Sequence, residues 1–430
     1  MPLSMNFGKI HHIFSSLQSR NYRLYFIGQS ISLIGTWMQS LAMSWLVYRL
    51  TGSVFLLGVI GFTSQAPSFV LSPFAGVFTD RFSRHRIMLI TQVLFMLQAL
   101  MMTALVMTHT VDVWHIVALS LVFGLITAFD APARQSMVID LIDNPENLGN
   151  AIALNSAMFN GARLFGPAIA GILIAVVGEG MCFLINALSY FSVIYALVKM
   201  KVRTKQKILK TENFKEGFMD GARYTFGFPP IRSLLLLLAV LSLVGLPYLT
   251  LLPAYTGGVL KGGSNILGFL MSATGAGALL GAIYLASRKS VLGLGKIIVF
   301  SSLFFGLFLI GFSLLNILWI SLIIMFFTGL CMIVSIASIN TLVQTLADED
   351  KRGRVMSFYA MALMGMNPIG NLCAGSIASI IGISHTVLLS GIITLLAGIW
   401  FARIRPSLKI YSHPVFVRKG IIPKNEINKS

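Results

Sequence analysis

Long apolar stretches separated by short polar or charged ones set the pattern of this chain. They begin near Tyr22, Val54, Ile87, Val113, Ala151 and Gly180, and again near Ser233, Ser264, Lys296, Ile317, Val355 and Ser384. Each offers about 20 mainly apolar residues, the length a helix needs to cross hydrocarbon. There every backbone N–H and C=O must pair within its own segment, so the pattern predicts twelve membrane-spanning helices. A different pattern precedes them. Phe7, Ile10, Phe14 and Leu17 recur at helical spacing with Lys9, His11 and Arg20 nearby, which predicts an amphipathic segment over 1–21 on the cytoplasmic surface. No continuous apolar core of a cleavable signal occurs before Asn21.

The largest break lies between Lys199 and Arg232. It carries Lys201, Arg203, Lys205, Lys207 and Lys210, then a stretch where Phe214 and Phe218 share a face opposite Glu216, Asp220 and Arg223, ended by Pro229 and Pro230. The expected organisation is all-α: a surface segment over 1–21, six helices over 22–200, a cytoplasmic connector over 201–231, six helices over 232–405 and a basic tail over 406–430. A merely solvated basic loop at the connector gives the same topology. The halves look related. Pro167 and Pro368 each follow a polar loop among small residues, and Gly76 to Arg86 has a faded counterpart at Gly281 to Lys289, at offsets of about 200 residues.

Composition makes lipid part of the solvent: 56% of the 430 residues are hydrophobic and 11% charged, against about 25% charged in an ordinary soluble domain. The net charge of +18 raises nucleic acid as a partner, but the cations fall in clusters between apolar runs and form no basic face, which excludes that class. With the N-terminus placed inside, only Arg49 and Lys261 of the 32 Lys and Arg fall outside, and Arg163 falls within a span. That asymmetry predicts an even number of spans and both termini in the cytoplasm. Cys182, Cys331 and Cys373 lie in apolar runs without metal-type spacing, so no metal, cofactor or disulfide framework is expected.

Three motifs carry a resemblance. Gly76 to Arg86 reads GVFTDRFSRHR, Phe129 to Gln135 reads FDAPARQ, and Lys351 to Met356 reads KRGRVM. The first is similar to the loop 2–3 signature of the major facilitator superfamily, departing from it at Ser83, where that family usually has glycine. The other two resemble its branch of enterobactin exporters and macrolide efflux pumps, the drug:proton antiporter-3 branch. The resemblance covers the chain to about Arg405. It implies two pseudo-symmetric six-helix bundles, a monomer in the bacterial inner membrane, and alternating-access export driven by proton exchange. It also implies a cytoplasmic gate built from Gly76, Asp80, Arg81, Arg84, Arg86, Asp130, Arg134, Gly353 and Arg354. Within that gate Asp80 would face the N-terminus of span 11, and Arg81 would pair with Asp130. Read as residues alone, Gly76 permits close helix approach, and Arg81, Arg84 and Arg86 meet the anionic inner leaflet; a topology signal is the plainer reading.

Gly161 to Pro167 with Gly171 resembles the span 5 signature of facilitator exporters, with Gly166, Pro167 and Gly171 as the kink; simple packing explains them equally well. Arg163 lies roughly 18 Å into that span. An arginine at such depth costs about 2.5–3.5 kcal/mol unless it faces water or a partner. Ser156, Asn160, Arg163, Pro167 and Gly171 share one helical face, so the expected substrate cavity contains Arg163 and Asn160, joined by Gln39, Gln65 and Trp37 from spans 1 and 2. For the polar stripes that hold Gln39 and Gln65 a helix interface with small residues is the commoner reading, and for Trp37 a filler or anchor is the plainer one. Arg163 bonded to carbonyls between helices is the competing structural reading. No proton carrier stands out: all seven histidines lie in termini, loops or span ends, and Asp130 has an expected partner.

A small polar or anionic cargo, siderophore-like, fits Arg163. An amphipathic drug or macrolide, or a lysolipid, are alternatives, and a non-transporting sensor is a remote one. A membrane-embedded enzyme would need paired acids, a Ser-His set or a metal cluster inside the spans, and the sequence places no acid or histidine there beyond Asp130. No catalytic residue is therefore expected.

Overall fold

The computed structural model describes residues 15–200, 214–288 and 290–422, with side chains at all of these except 72–74, 76–81, 145 and 214–218. Phe7, Ile10 and Phe14 of the expected surface segment, the basic run from Lys201 to Lys210, and the end of the tail lie outside the described residues. The described residues are helical, without strands, as the all-α expectation requires.

Six helices follow a short turn at Ser15–Gln18: α1 (Arg20–Thr51), α2 (Val54–Arg81), α3 (Arg84–Met107), α4 (Val113–Asp140), α5 (Leu148–Val177) and α6 (Glu179–Lys199). The connector contributes α7 (Phe214–Gly227). Six more follow: α8 (Pro229–Gly258), α9 (Ser264–Ala286), α10 (Leu294–Leu314), α11 (Leu318–Leu346), α12 (352–381) and α13 (Ile383–Arg418). Ten of these are long and apolar enough to cross a membrane. The expected first and eleventh spans, α1 and α12, form as helices but fall outside that ten because they carry more polar side chains, among them Gln29, Ser32, Thr36, Gln39 and Ser40 on α1. Exposed side chains such as Val176, Phe300, Trp319 and Ile380 coat the helices with apolar surface suited to acyl chains.

Contacts divide the described chain into two units. The first takes described residues up to 51, 63–200 and 263–272; the second takes 52–62, 214–262 and 273 onward. In the first, α1 packs on α5 and α6, and α3 on α4 and α6. In the second, α8 packs on α12 and α13, and α10 on α11 and α13, the same order of pairing. A shared glycine device supports the repeat. Gly178, between α5 and α6, has φ +87, and Gly382, between α12 and α13, also has φ +87. A left-handed backbone at these sharp reversals is open to glycine without a Cβ clash.

Each unit also holds a crossing with no room for a side chain. In the first, a Cβ on Gly268 of α9 would lie 2.6 Å from the Pro167 carbonyl oxygen and 2.9 Å from the Gly171 Cα. In the second, a Cβ on Gly58 of α2 would lie 2.6 Å from the Asn371 carbonyl oxygen and 3.0 Å from the Gly375 Cα. These crossings put 263–272 with α5 and 52–62 with α12, whereas the sequence-based division assigned all of 22–200 to one bundle. They also align Pro167 with Asn371 rather than with Pro368, a register shift of three residues from the expected match.

The second unit has two features of its own. Helix α8 carries a π turn at Leu241–Gly245 and α12 another at Met361–Gly365. They meet where Ser242 Oγ donates to the Leu363 carbonyl. Helix α13 runs for 36 residues, about 54 Å, well beyond the roughly 30 Å of hydrocarbon. Its end ties back to the last turn of α11 and the residues that follow it. Arg418 pairs with Asp348, and Lys419 Nζ donates to the carbonyls of Thr345 and Ala347, both at 2.7 Å. A cation there meets the carbonyl groups that a helix C-terminus leaves unpaired. Tyr224 of α7 joins from the connector, donating to Asp348 Oδ2 at 2.9 Å. Burial first, and the Asp348 carboxylate after it, raise the Tyr224 hydroxyl above its ordinary value and keep it a donor.

Candidate functional site

Helix α5 presents Arg163 to α1. The Arg163 guanidinium lies 5.1 Å from the centre of the Trp37 ring and 5.7 Å from that of Phe159. The two rings meet edge to face at 6.0 Å. Such contacts are worth about 0.5–2 kcal/mol each, so two of them offset much of the cost of a guanidinium at this depth. Gly166 makes the approach possible: a Cβ there would lie 2.5 Å from Trp37 Cβ and 3.0 Å from the Ile34 carbonyl oxygen. Pro167 has no N–H to offer the Arg163 carbonyl one turn back. Arg163 is half-buried, as is Trp37.

The other expected cavity residues divide. Asn160 is buried on α5 and donates to the Ser156 carbonyl of its own helix at 2.9 Å. Gln65 is half-buried on α2. Gln39 requires a correction. Its amide donates to Gln98 Oε1 at 2.9 Å and accepts from Asn186 Nδ2 at 2.7 Å, and the residue is 3% exposed. Gln39 thus belongs to a sealed polar network linking α1, α3 and α6, continued by Tyr190 and Thr36. Helical periodicity aligned Gln39 with Ser32 and Thr36 but could not tell which neighbouring helix that face meets.

Phe159 was missed, because an aromatic side chain in an apolar run reads as filler. A second omission is Asn367. The spacing that separates Gly178 from Gly382, and Gly171 from Gly375, also separates Arg163 from Asn367. The repeat therefore sets an amide on α12 at the position that holds the guanidinium on α5.

At the basic end of the first unit, Gly76, Asp80 and Arg81 close α2, but their side chains lie outside the described residues, as do the expected contacts of Asp80 and Arg81. Asp130 is buried and well supplied. Thr91 Oγ1 at 2.8 Å and Gln92 Nε2 at 2.9 Å donate to its Oδ1, while Arg134 Nε approaches Oδ2 at 3.5 Å. Arg84 Nη1 donates to Asp140 Oδ2 at 2.9 Å and joins the start of α3 to the end of α4; Arg86 is exposed. In the second unit, Arg354 meets Asp220 of α7 at 3.9 Å, and Gly221 packs on its Cβ. Gly353 has open space around it. The two basic motifs are therefore anchored locally, one to α4 and one to the connector.

At the opposite end of the first unit lies a cavity of about 350 Å³, lined by Trp45, Arg49, Ile174, Glu179, Ser264 and Asn265. It contains the ion pair between Arg49 Nε and Glu179 Oε1 at 2.7 Å, in which the carboxylate is buried and the guanidinium about half exposed.

The family model described as transmembrane secretion effector matches residues 12–412. The chain is 26% identical to a staphyloferrin A transporter of Staphylococcus aureus, over 90% of this chain and 97% of that one. It is 24% identical to a multidrug efflux pump of Mycolicibacterium fortuitum, over 85% and 91%. The crystal structure of a nucleoside transporter superposes with a TM-score of 0.69 at 12% identity, over 90% and 99%, which speaks for the fold alone.

Proposed function

Given that this chain belongs to the transmembrane secretion effector family, within the major facilitator transporters, we propose that it exports a small polar or anionic organic molecule, siderophore-like, from the bacterial cytoplasm. It is a multi-pass membrane transporter of efflux type and not an enzyme. The observation that carries the choice of cargo is the Arg163 guanidinium held between Trp37 and Phe159 on a half-buried helix face. A cation on two aromatic planes offers charge to an anionic group and a flat apolar surface to the rest of the molecule. Similarity to a staphyloferrin A transporter agrees with that chemistry. Alternating access moves the cargo, exchange with protons drives it, and both termini lie in the cytoplasm, consistent with the placement of the basic clusters.

The test is uptake into inverted membrane vesicles. Arg163→Gln lowers the initial rate about tenfold or more at equal protein level, Arg163→Lys recovers part of it, and dissipating the proton gradient abolishes it. Unchanged transport of every substrate by Arg163→Gln would falsify the site. The cargo is tested by comparing metabolites secreted by a deletion strain and its parent under iron limitation. An unchanged iron chelator in the medium turns the reading to an amphipathic drug, the second reading favoured by similarity to a multidrug efflux pump.

A further inference from the structure

We propose that the turn between α9 and α10, together with the end of the α13 span, binds the phosphate headgroup of an anionic lipid. Among the described residues, three cations gather there. Arg288 is braced by the Leu292 carbonyl, to which its Nη2 donates at 2.8 Å, and by the Tyr284 hydroxyl at 3.4 Å. Its Nε is buried and has no hydrogen-bond partner. The Arg405 side chain lies over Gly295, where a Cβ would be 3.5 Å from its Cδ, and Lys296 follows, exposed, in the first turn of α10. Arg403, two residues before Arg405 on α13, is exposed. Helix α10 follows an N-cap at Gly293, φ +83, with no side-chain cap and no acid in its first turn, so its N-terminal partial charge adds to the same sign.

The counter-charge is missing on this side of the unit. Among the residues of the second unit whose side chains are described, the acids are Asp220, Asp348, Glu349 and Asp350. They pair with Arg354, Arg418, Arg352 and Lys351, respectively, and none with Arg288, Lys296, Arg403 or Arg405. Cations held this close without an acid repel one another, and a bound anion removes the repulsion. An arginine fork matches phosphate oxygens in particular. The surroundings choose a lipid over a free ion. Tyr284 and Trp400 are exposed at this depth, as aromatic residues are at the headgroup level, and Ile283, Leu292 and Phe300 offer exposed apolar surface to acyl chains.

The experiment is native mass spectrometry of the full chain, purified in detergent and titrated in separate arms with dioleoylphosphatidylglycerol, dioleoylphosphatidylcholine and inorganic phosphate. Wild type is expected to retain phosphatidylglycerol in preference to phosphatidylcholine. Removing two cations with R288Q/R405Q should weaken phosphatidylglycerol binding about thirtyfold and leave phosphatidylcholine unchanged. The control K351Q/R352Q, which removes the same net charge elsewhere in the unit, should change neither. If the double variant does not fold, Lys296→Gln, at an exposed position, should still weaken binding about fivefold. Equal loss in both double variants, or no loss in R288Q/R405Q, or in Lys296→Gln where it stands in, overturns the proposal. So does inorganic phosphate binding to wild type and displacing phosphatidylglycerol, which would make the site one for a free anion.

Discussion

Both ends of the Gln39 amide are engaged, and this separates two roles that a polar residue in a span can have. Gln39→Leu leaves Gln98 and Asn186 short of a partner in a dry interface, at about 1–3 kcal/mol. It should lower the thermal unfolding temperature while the order of preference among substrates stays the same. Trp37→Ala should do the reverse, changing substrate preference through the Arg163 contact more than stability. The Arg49–Glu179 pair gives a directional result. Arg49→Gln strands a buried carboxylate and should cost about 2–3 kcal/mol, whereas Glu179→Gln leaves a half-exposed guanidinium and should cost about 0–1 kcal/mol. Calorimetry of the two variants checks the order. What was legible at this scale followed from energetic cost. Arg163 stands out because a guanidinium in an apolar run needs a reason, while Phe159 carries no such penalty and gives no signal.

The helices themselves were readable, since length and apolar content are what a bilayer selects. Their crossings were not. Gly171 and Gly268 lie far apart in sequence, and nothing local to either distinguishes the contact from an ordinary small-residue position. The π turns at Leu241–Gly245 and Met361–Gly365 were equally silent, because one wide turn barely disturbs a hydrophobic pattern. The crossings predict opposite effects for one substitution. Gly268→Ala drives its Cβ into the Pro167 carbonyl and should destabilise by about 1–3 kcal/mol. Gly161→Ala, on a helix with nothing within 4 Å of the new methyl, should stabilise by about 0.5–1 kcal/mol. Paired melting curves in detergent measure both.

Across the molecule, the distribution of charge was legible and its local use was not. Basic clusters between the apolar runs set the expected topology, but the sequence did not show that Arg354 would meet Asp220 of the connector or that the tail would continue α13 as far as Arg418. Replacing both Arg418 and Lys419 with Ala should speed protease cutting after α11 several-fold, with little change elsewhere, as limited proteolysis followed by peptide mapping would report. The same junction has a consequence in time. Arg418 is translated 70 residues after Asp348, which at about 5–20 residues per second is a delay of roughly 4–14 s. During that interval the segment after α11 has left the ribosome while the residues that will fasten it are still being made. A nascent chain stalled short of Arg418 would expose that segment to quality-control proteases, and a finished one would hide it.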